Sequence, residues 1–342
     1  MNIYPLFRAL LFKLNPEHAH YLTLSMIRLA GDLQPINGLI RASFSAPDHP
    51  VQAFGLKFSN PIGLAAGYDK DGIGWRGLAC LGFGHIEIGT VTLKPQPGNP
   101  KPRLFRLPEE RALINRMGFP GMGAEFVVQQ ISKKRPKNLV LGVNIGKNKD
   151  TLLESAAQDY LDLLRLFAER ADYLTINVSS PNTVGLRQLQ ERQALDQLLK
   201  LLRLERERLI QTGTHKLPIL IKLSPDLTDP QLDGALDVIQ ANQMDGVIAS
   251  NTTISREGVN SPFTREDGGL SGRPLQMRSL AMVANIHKRT KGRLPVIGVG
   301  GISDATGVQR MMDTGAILVQ LYTGLIYEGP GIVNRILREL RA

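Results

Sequence analysis

The sequence predicts an α/β fold, a (β/α)8 or TIM barrel with a small N-terminal helical extension. From residue 60 onward, eight short apolar runs alternate with helical stretches, the runs are apolar almost throughout, and polar residues suited to chemistry follow each run. Alternating β and α units in this number are typical of a closed barrel of parallel strands. An open doubly wound sheet is the alternative, but it more naturally has fewer strands and a single switch point.

The eight runs are expected to be strands that are buried on both faces. Residues 139–143, Leu-Val-Leu-Gly-Val, illustrate the nearly continuous apolar character of such strands. The segments between the runs have room for helices, for example at 160–170 and 195–208. The predicted strands occupy residues 61–65, 85–88, 139–143, 172–176, 218–221, 245–249, 295–299 and 316–321.

The residues that follow the predicted strands are the candidate functional groups. The carboxyl ends of barrel strands meet at one rim, where barrel enzymes keep their active sites. Lys222 is informative because a buried ammonium group without an anionic partner is costly, so it implies a bound anion or an electron-rich ring. In chain order the candidates are Ala66, Gly67, Lys70, Gly89, Thr90, Asn144, Asn177, Ser180, Asn182, Lys222, Ser250, Asn251, Thr252, Gly300, Gly301, Tyr322, Thr323 and Gly324.

The densest polar group is the segment from Asn177 to Thr183, Asn-Val-Ser-Ser-Pro-Asn-Thr, which closes an apolar strand. A buried amide left unpaired costs about 1–3 kcal/mol, so this many amides and hydroxyls indicate a site for a small polar molecule. Ser180 is the only group in the segment that could move a proton.

The composition of the chain limits the classes of molecule that it is expected to bind. The 342-residue chain has a formal net charge of +10, which favours an anionic partner such as a phosphorylated cofactor or anionic lipid headgroups. Basic runs at 133–137 and 203–208 have no interleaved aromatic residues, so we expect no nucleic-acid binding. The single cysteine, Cys80, excludes an intramolecular disulfide and fits a reducing cytoplasm, and we expect no secretory signal in residues 1–30.

The last two strand ends indicate a phosphate site. Glycines near 298–301 and the turn Tyr322-Thr323-Gly324 stand where barrels bind phosphate with backbone N–H groups. A phosphate there, a cation at the fifth strand and amides at the third and fourth strands outline a mononucleotide. Flavin mononucleotide (FMN) is the economical choice, because no Gly-x-Gly-x-x-Gly follows an early strand. No His and carboxylate cluster has metal-ligand spacing, so no metal is expected.

Six segments, in the right order, resemble signature segments of the dihydroorotate dehydrogenase family. They are 66–72 (Ala-Gly-Tyr-Asp-Lys-Asp-Gly), 115–119 (Asn-Arg-Met-Gly-Phe), 177–183, 250–253 (Ser-Asn-Thr-Thr), 269–274 (Gly-Leu-Ser-Gly-Arg-Pro) and 299–302 (Val-Gly-Gly-Ile). The resemblance implies oxidation of (S)-dihydroorotate to orotate with one FMN per chain in de novo pyrimidine (UMP) biosynthesis. A serine at the base position and residues preceding the barrel resemble the quinone-dependent, membrane-associated class 2 enzymes.

The resemblance also implies roles for individual residues. Ser180 would be the catalytic base that removes the C5 proton while hydride leaves C6, and Lys222 would stabilise the negative charge of the reduced flavin. The substrate-binding residues would be Lys70, Asn115, Arg116, Met117, Gly118, Phe119, Asn177, Asn182, Asn251 and Thr252. The cofactor-binding residues would be Ala66, Gly67, Tyr68, Asp69, Lys70, Thr90, Asn144, Asn177, Lys222, Ser250, Gly272, Gly301, Tyr322 and Thr323.

The N-terminal extension, residues 1–45, is predicted to form two short amphipathic helices ahead of a catalytic domain at 46–342. Leu6, Phe7, Leu10, Leu11 and Leu14 line one helical face, and Asn15-Pro16-Glu17 indicates the start of the second helix. Such helices either pack on the barrel or anchor at a membrane surface. The resemblance implies an access route for ubiquinone or menaquinone with Arg106 and Tyr322 near its end, membrane contact through residues 1–40, a monomer, and a peripheral location on the cytoplasmic face of the inner membrane.

Two other functions are compatible with the residues. One is a different FMN-barrel oxidoreductase, with another cyclic substrate or with NAD or fumarate as acceptor. The other is a basic, non-catalytic barrel that binds nucleic acid or another protein, which would leave eight polar strand ends without a purpose.

Overall fold

The computed structural model describes residues 4–45, 47–133, 135–136 and 138–340. Positions 1–3, 46 and 341–342 of the predicted domains, and Lys134 and Lys137 of the basic run, lie outside the described residues. The strands, numbered in chain order, are β1 Val51–Ala53, β2 Leu56–Phe58, β3 Ile62–Leu64, β4 His85–Val91, β5 Leu104–Leu107, β6 Ala112–Asn115, β7 Val140–Ile145, β8 Tyr173–Asn177, β9 Ile219–Leu223, β10 Gly246–Ala249, β11 Gly269–Gly272, β12 Val296–Val299 and β13 Ala316–Leu321.

The α-helices surround these strands and precede them. They are α1 Tyr4–Leu11, α2 Pro16–Asp32, α3 Gln34–Ser43, α4 Trp75–Leu78, α5 Ala124–Ile131, α6 Ala156–Phe167, α7 Arg192–Gln211, α8 Asp229–Ala241, α9 Gln276–Thr290, α10 Ala305–Asp313, α11 Thr323–Glu328 and α12 Ile332–Glu339. None of the helices in the described part of the chain is long and apolar enough to cross a membrane.

Eight parallel strands close into a barrel in the order β3-β4-β7-β8-β9-β10-β12-β13, with β13 pairing back to β3. These are the eight strands that the sequence predicts, so the TIM-barrel prediction is confirmed. Strands β4 and β7 extend further than expected, to Val91 and Ile145. The polar residues Thr90 and Asn144 were expected to follow the strands, but they lie within them and pair with other buried polar groups.

Side chains of the barrel strands fill its interior, and the β1–β2 hairpin contributes Ala53 and Phe58 to the same apolar cluster. The interior also holds Tyr173, whose ring passes close to β7. A Cβ atom on Gly142 would lie 2.1 Å from Cζ of Tyr173, so glycine is required at this close approach. The tyrosine can therefore reach across the barrel toward β4.

A three-stranded antiparallel sheet of β5, β6 and β11 lies outside the barrel. The sequence analysis did not predict this sheet. Residue Asn115, at the end of β6, pairs in register with Gly269 of β11. The sheet therefore brings the predicted substrate segment 115–119 together with the glycine-rich segment that begins at residue 269.

The N-terminal extension contains three helices rather than the predicted two. Helix α2 begins as expected, because the Asn15 side chain accepts hydrogen bonds from the backbone N–H groups of Glu17 and His18. Helix α3 was not predicted, because the second helix was expected to end near Gly31 with no further helix after it. Helices α2 and α4 are in very close contact, since a Cβ on Gly77 would lie 2.0 Å from the carbonyl oxygen of Ile27.

Candidate active site

A polar cavity with about 980 Å³ of empty space, open solvent at its mouth included, lies at the carboxyl ends of the barrel strands. Its wall contains most of the residues that the sequence singled out, although they come from segments far apart in the chain. The predicted residues that line it are Ala66, Gly67, Lys70, Thr90, Asn115, Met117, Gly118, Phe119, Asn177, Ser180, Asn182, Lys222, Ser250, Asn251, Thr252, Gly272, Gly301, Tyr322 and Thr323.

Below the cavity, the fully buried carboxylate of Glu87 joins five of the eight barrel strands. Each carboxylate oxygen has partners from different strands, and all of them are donors. Oε1 accepts from Asn144 Nδ2 at 2.9 Å and lies 3.8 Å from Lys222 Nζ. Oε2 accepts from Tyr173 Oη at 3.1 Å, Thr175 Oγ1 at 3.1 Å and Gln320 Nε2 at 3.0 Å.

Lys222 lines the cavity and is almost completely buried. Burial lowers the pKa of its ammonium group, and the nearby Glu87 carboxylate opposes that shift. The protein itself supplies an anionic partner for this lysine, so its burial alone does not require the bound anion or ring that the sequence predicts. The Lys222 cation can still face a ligand, since Glu87 approaches from the barrel interior and does not line the cavity.

The orientation of the buried amides follows from Glu87. A carboxylate only accepts hydrogen bonds, so Asn144 presents its Nδ2 to Glu87 and its Oδ1 toward the cavity side. Asn144 Oδ1 then accepts from Thr90 Oγ1 at 2.6 Å and from Asn177 Nδ2 at 3.2 Å. Asn177 Oδ1 in turn accepts from the backbone N and the hydroxyl of Ser179. The hydrogen-bonding pattern at the cavity floor is thus fixed from below.

Ser180 lies beside Asn182, one of the four asparagines of the predicted substrate site. Its Oγ accepts a hydrogen bond from the backbone N–H of Asn182 at 3.2 Å, and Asn182 Nδ2 donates to Asn115 Oδ1 at 3.3 Å. Among the described residues, no carboxylate or imidazole is hydrogen-bonded to Ser180 Oγ. Phe119 is held in a left-handed backbone conformation with φ of 53°, and its side chain is buried against the loop at Gly146.

Lys70 lies at the cavity wall, where its Nζ donates to the carbonyl oxygen of Gly67 at 2.7 Å. Burial lowers the pKa of the Lys70 ammonium group to about 8, and the nearby Asp71 carboxylate opposes this shift. The charge of this lysine is therefore sensitive to pH in a range where most lysines remain protonated.

Four predicted site residues do not line the cavity. Asn144 lies beneath it, as described above, and Tyr68 lines a neighbouring cavity. The Asp69 carboxylate accepts from the backbone N–H groups of Ile73 and Gly74, and burial raises its pKa to about 6. Arg116 points outward and pairs with Glu266 at 2.5 Å. Direct ligand contacts of these four side chains remain predictions.

Several residues at the site were not anticipated from the sequence. Ser271 and Gln320 line the cavity, and the Ser271 hydroxyl is 2.9 Å from that of Thr323. Glu87 is the most important omission. A charged residue in the middle of the apolar strand His85–Val91 was itself a signal of a buried polar partner, because unpaired charges are almost never buried.

A second cavity, with about 1720 Å³ of empty space including open solvent, lies between the N-terminal helices and the barrel. Most of its lining is apolar, with Phe7, Leu11 and Phe12 from the start of the chain. Arg106 and Tyr322 also line it, and Arg106 Nη1 donates to the carbonyl oxygen of Phe12 at 2.9 Å. Tyr322 belongs to the walls of both cavities.

The fold and these cavities define a (β/α)8-barrel enzyme with a polar active site at the strand ends and an adjoining apolar chamber. A family model described as Dihydroorotate dehydrogenase matches residues 50–342, and the chain belongs to that family. The chain is 49% identical over 327 residues to a Dihydroorotate dehydrogenase (quinone) of Cellvibrio japonicus, covering 95% of this chain and 94% of that protein. A protein of the same name from Nitrosospira multiformis is 49% identical over 339 residues, covering 99% and 96%.

A solved structure agrees with this assignment. The crystal structure of DHODH in complex with ferulenol from Eimeria tenella superposes with a TM-score of 0.87 and 37% sequence identity. The superposition covers 95% of this chain and 90% of that one.

We predict that Glu87→Gln strongly destabilises the protein. The substitution leaves the buried Lys222 ammonium without its anion, and removing one partner of a buried pair typically costs about 3–5 kcal/mol. Urea denaturation should show a loss of this size in the free energy of unfolding. The matched control, Thr175→Val, removes one neutral donor to the same carboxylate and should cost only about 1 kcal/mol. Equal losses in the two variants would contradict the role assigned to the charge.

Proposed function

We propose that this protein oxidises (S)-dihydroorotate to orotate, with FMN as the hydride acceptor and a membrane quinone as the final electron acceptor, in de novo pyrimidine biosynthesis. Membership of the dihydroorotate dehydrogenase family and the quinone-dependent names of its relatives support the reaction. The single observation that carries it is the polar cavity, in which Ser180, Lys70 and four asparagines converge next to the buried Lys222.

The residues at one end of the cavity fit the phosphate end of FMN. Gly272, Gly300 and Gly301 have φ of 98°, 128° and 70°, a region that favours glycine. A Cβ on Gly301 would lie 2.5 Å from Cβ of Gln276, so backbone rather than side chain forms the wall there. Gly272, Gly301, Tyr322 and Thr323 would hold the phosphate end, with Thr90, Lys222 and Ser250 along the ring system.

The asparagines suit a pyrimidine edge. Dihydroorotate presents alternating carbonyl and N–H groups, and each asparagine amide offers one acceptor and two donors. Asn115, Asn177, Asn182, Asn251 and Thr252 would bind the ring, and the Lys70 ammonium would attract the substrate carboxylate. Phe119, which is already buried at the wall, would exclude water and strengthen these hydrogen bonds.

In the reaction, Ser180 accepts the C5 proton of dihydroorotate as hydride leaves C6. When bound, FMN would supply the two-electron redox chemistry that links dihydroorotate, the hydride donor, to the quinone. The Lys222 ammonium, oriented by Glu87, would contribute positive charge that stabilises the reduced acceptor. A serine hydroxyl is a weak base, and no described carboxylate or imidazole is bonded to it, so the proton must continue through water or another hydroxyl.

The apolar chamber is the proposed access route for ubiquinone or menaquinone. It lies between the N-terminal helices and the barrel, and it meets the polar cavity at Tyr322. Its wall provides the burial that an apolar ring and tail require, with Arg106 as a polar group in the wall. The protein is proposed to act as a monomer.

The same segment is the proposed membrane contact. Large apolar side chains protrude from its three helices, among them Leu6, which is 71% exposed, Leu10, at 63%, and Leu39, at 70%. Exposed apolar clusters of this kind, together with the chain's net charge of +10, favour peripheral binding to an anionic bilayer. Residues 1–40 would make this contact at the cytoplasmic face of the inner membrane.

We predict that Ser180→Ala slows flavin reduction by dihydroorotate about 100-fold or more, because the proton acceptor is lost. Anaerobic stopped-flow absorbance of the flavin bands measures this rate. Ser180→Cys, which keeps an ionisable group, should retain more of the rate, and orotate binding should persist in both variants. A rate for Ser180→Ala within twofold of wild type would exclude this role.

The affinity for orotate should weaken as pH rises through about 8, because Lys70 then loses the charge that attracts the carboxylate. Below that pH the lysine is protonated and the affinity should be at its plateau. Titrating orotate into the holoenzyme from pH 6.5 to 9, with flavin absorbance as the signal, measures the dependence. Lys70→Met should bind more weakly with no such dependence, and a flat profile for wild type would refute the assignment.

Replacing both Leu6 and Leu10 with Glu should abolish most binding to anionic vesicles. Each leucine contributes about 1.5–3 kcal/mol when it is buried in lipid, so the partition should fall at least tenfold in a sedimentation assay. Leu201→Glu, at a 42% exposed leucine on α7, is the matched control and should bind vesicles like wild type. Equal binding by both variants would place the membrane contact elsewhere.

A further inference from the structure

We propose that Glu17, on the N-terminal helix α2, is a positioning residue for the dihydroorotate side of the active site. The inference rests on the proposed function and gives the N-terminal segment a second role beside acceptor access and membrane contact. It is carried by a continuous set of contacts that runs from α2 through the loop at 97–103 to Asn115 and Asn182.

The first step is a buried ion pair between Glu17 and Arg103. Both side chains are 5% exposed, and the guanidinium meets the carboxylate with two of its nitrogens. Nη2 donates to Oε1 at 2.7 Å, while Nε lies 3.2 Å from each carboxylate oxygen. This geometry restrains Arg103 in direction as well as distance, because a paired guanidinium has little rotational freedom.

The second step runs from Arg103 into its own loop. The remaining nitrogen, Nη1, donates to the carbonyl oxygens of Pro97 at 2.7 Å and Asn99 at 2.9 Å. Gly98, between them, has φ of 76°, and a Cβ there would lie 2.7 Å from Nη1 of Arg103. The loop is thus wrapped closely around a cation whose charge is balanced from α2.

The third step connects the loop to the substrate segments. Asn99 Nδ2 donates to two backbone carbonyls, those of Arg116 at 3.0 Å and Asn182 at 3.1 Å. The backbone N–H of Asn99 also donates to the carbonyl of Met117 at 2.9 Å. One amide therefore links the segment that contains Asn115 to the segment that contains Asn182, and the side chains of these two asparagines are 3.3 Å apart at the cavity wall.

Loss of the Glu17 charge would leave Arg103 buried without an anion. Arg103 would then be expected to move toward solvent, and the carbonyls of Pro97 and Asn99 would lose their donor. The two substrate asparagines would be less well oriented, so ligand affinity should fall more than the chemical rate, which depends on Ser180. Helix α2 would itself remain attached through Asp32, which pairs with Arg76 at 2.9 Å.

The test uses the full-chain holoenzyme with Glu17→Gln. Orotate titration should show a dissociation constant about tenfold above wild type, whereas the limiting rate of flavin reduction at saturating dihydroorotate should stay within threefold. Asp32→Asn is the matched control, since it removes an ion pair of the same helix that does not lead to the substrate loop, and its orotate affinity should be unchanged. An orotate dissociation constant for Glu17→Gln within twofold of wild type overturns the inference.

Asn99→Ala tests the other end of the same set of contacts and should weaken orotate binding to a similar extent. If both residues act through one loop, the double variant should bind orotate about as tightly as the weaker-binding of the two single variants, because the effects of coupled substitutions are not additive. An orotate dissociation constant about 100-fold above wild type in the double variant would mean that the two losses are independent, and would overturn the inference that both residues act through one loop. If Glu17→Gln yields no folded holoenzyme, Glu17→Asp replaces it with the same criterion, because it keeps the buried charge but withdraws the carboxylate by one methylene from the Arg103 nitrogens that it holds in place.

Wild-type behaviour separates this inference from the proposed function. If dihydroorotate fails to reduce the wild-type flavin, the proposed function is wrong, whatever the variants do. If the wild type is reduced normally and Glu17→Gln binds orotate as tightly, only the positioning role of Glu17 is wrong.

Discussion

The buried carboxylate of Glu87 is the interaction on which the rest of the active site depends. It accepts hydrogen bonds from strands β7, β8 and β13 and lies beside the ammonium group on β9. Because a carboxylate cannot donate, it determines which way the Asn144 and Gln320 amides face. The orientation of Asn144 in turn determines how Thr90 and Asn177 hydrogen-bond to it at the cavity floor. One residue that touches no part of the cavity thus sets the polarity of its surface.

Much of this arrangement could be predicted from the sequence, because buried parallel strands are nearly continuous apolar runs and their carboxyl ends must meet. Lys222, Asn177 and Ser180 were identified in this way, and all three line one cavity. The partner of Lys222 could not be identified, since Glu87 is distant in sequence and becomes adjacent only through barrel closure. The position of Asn144 beneath the cavity could not be predicted either, because a polar residue at the end of an apolar run could line the cavity or lie below it.

The elements outside the barrel were the least predictable part. Helix α3 and the β5–β6–β11 sheet are short, and their positions depend on contacts with distant segments rather than on their own periodicity. Their role is nevertheless direct. The sheet fixes Asn115 opposite Gly269, and helix α2 supplies the carboxylate that neutralises Arg103. The proposed substrate wall is therefore assembled in part by segments that a barrel alone does not possess.

Tyr322 lies at the boundary between the polar cavity and the apolar chamber. On the proposed function, a water-soluble reductant and a lipid-soluble oxidant would reach the redox centre through two different cavities. Much of the wall of the apolar chamber comes from the appended N-terminal helices. Evolution could therefore exchange this helical segment to suit a different oxidant while preserving the pyrimidine chemistry. The buried charge that the appended segment contributes at Glu17 would limit such exchanges to modules that still neutralise Arg103.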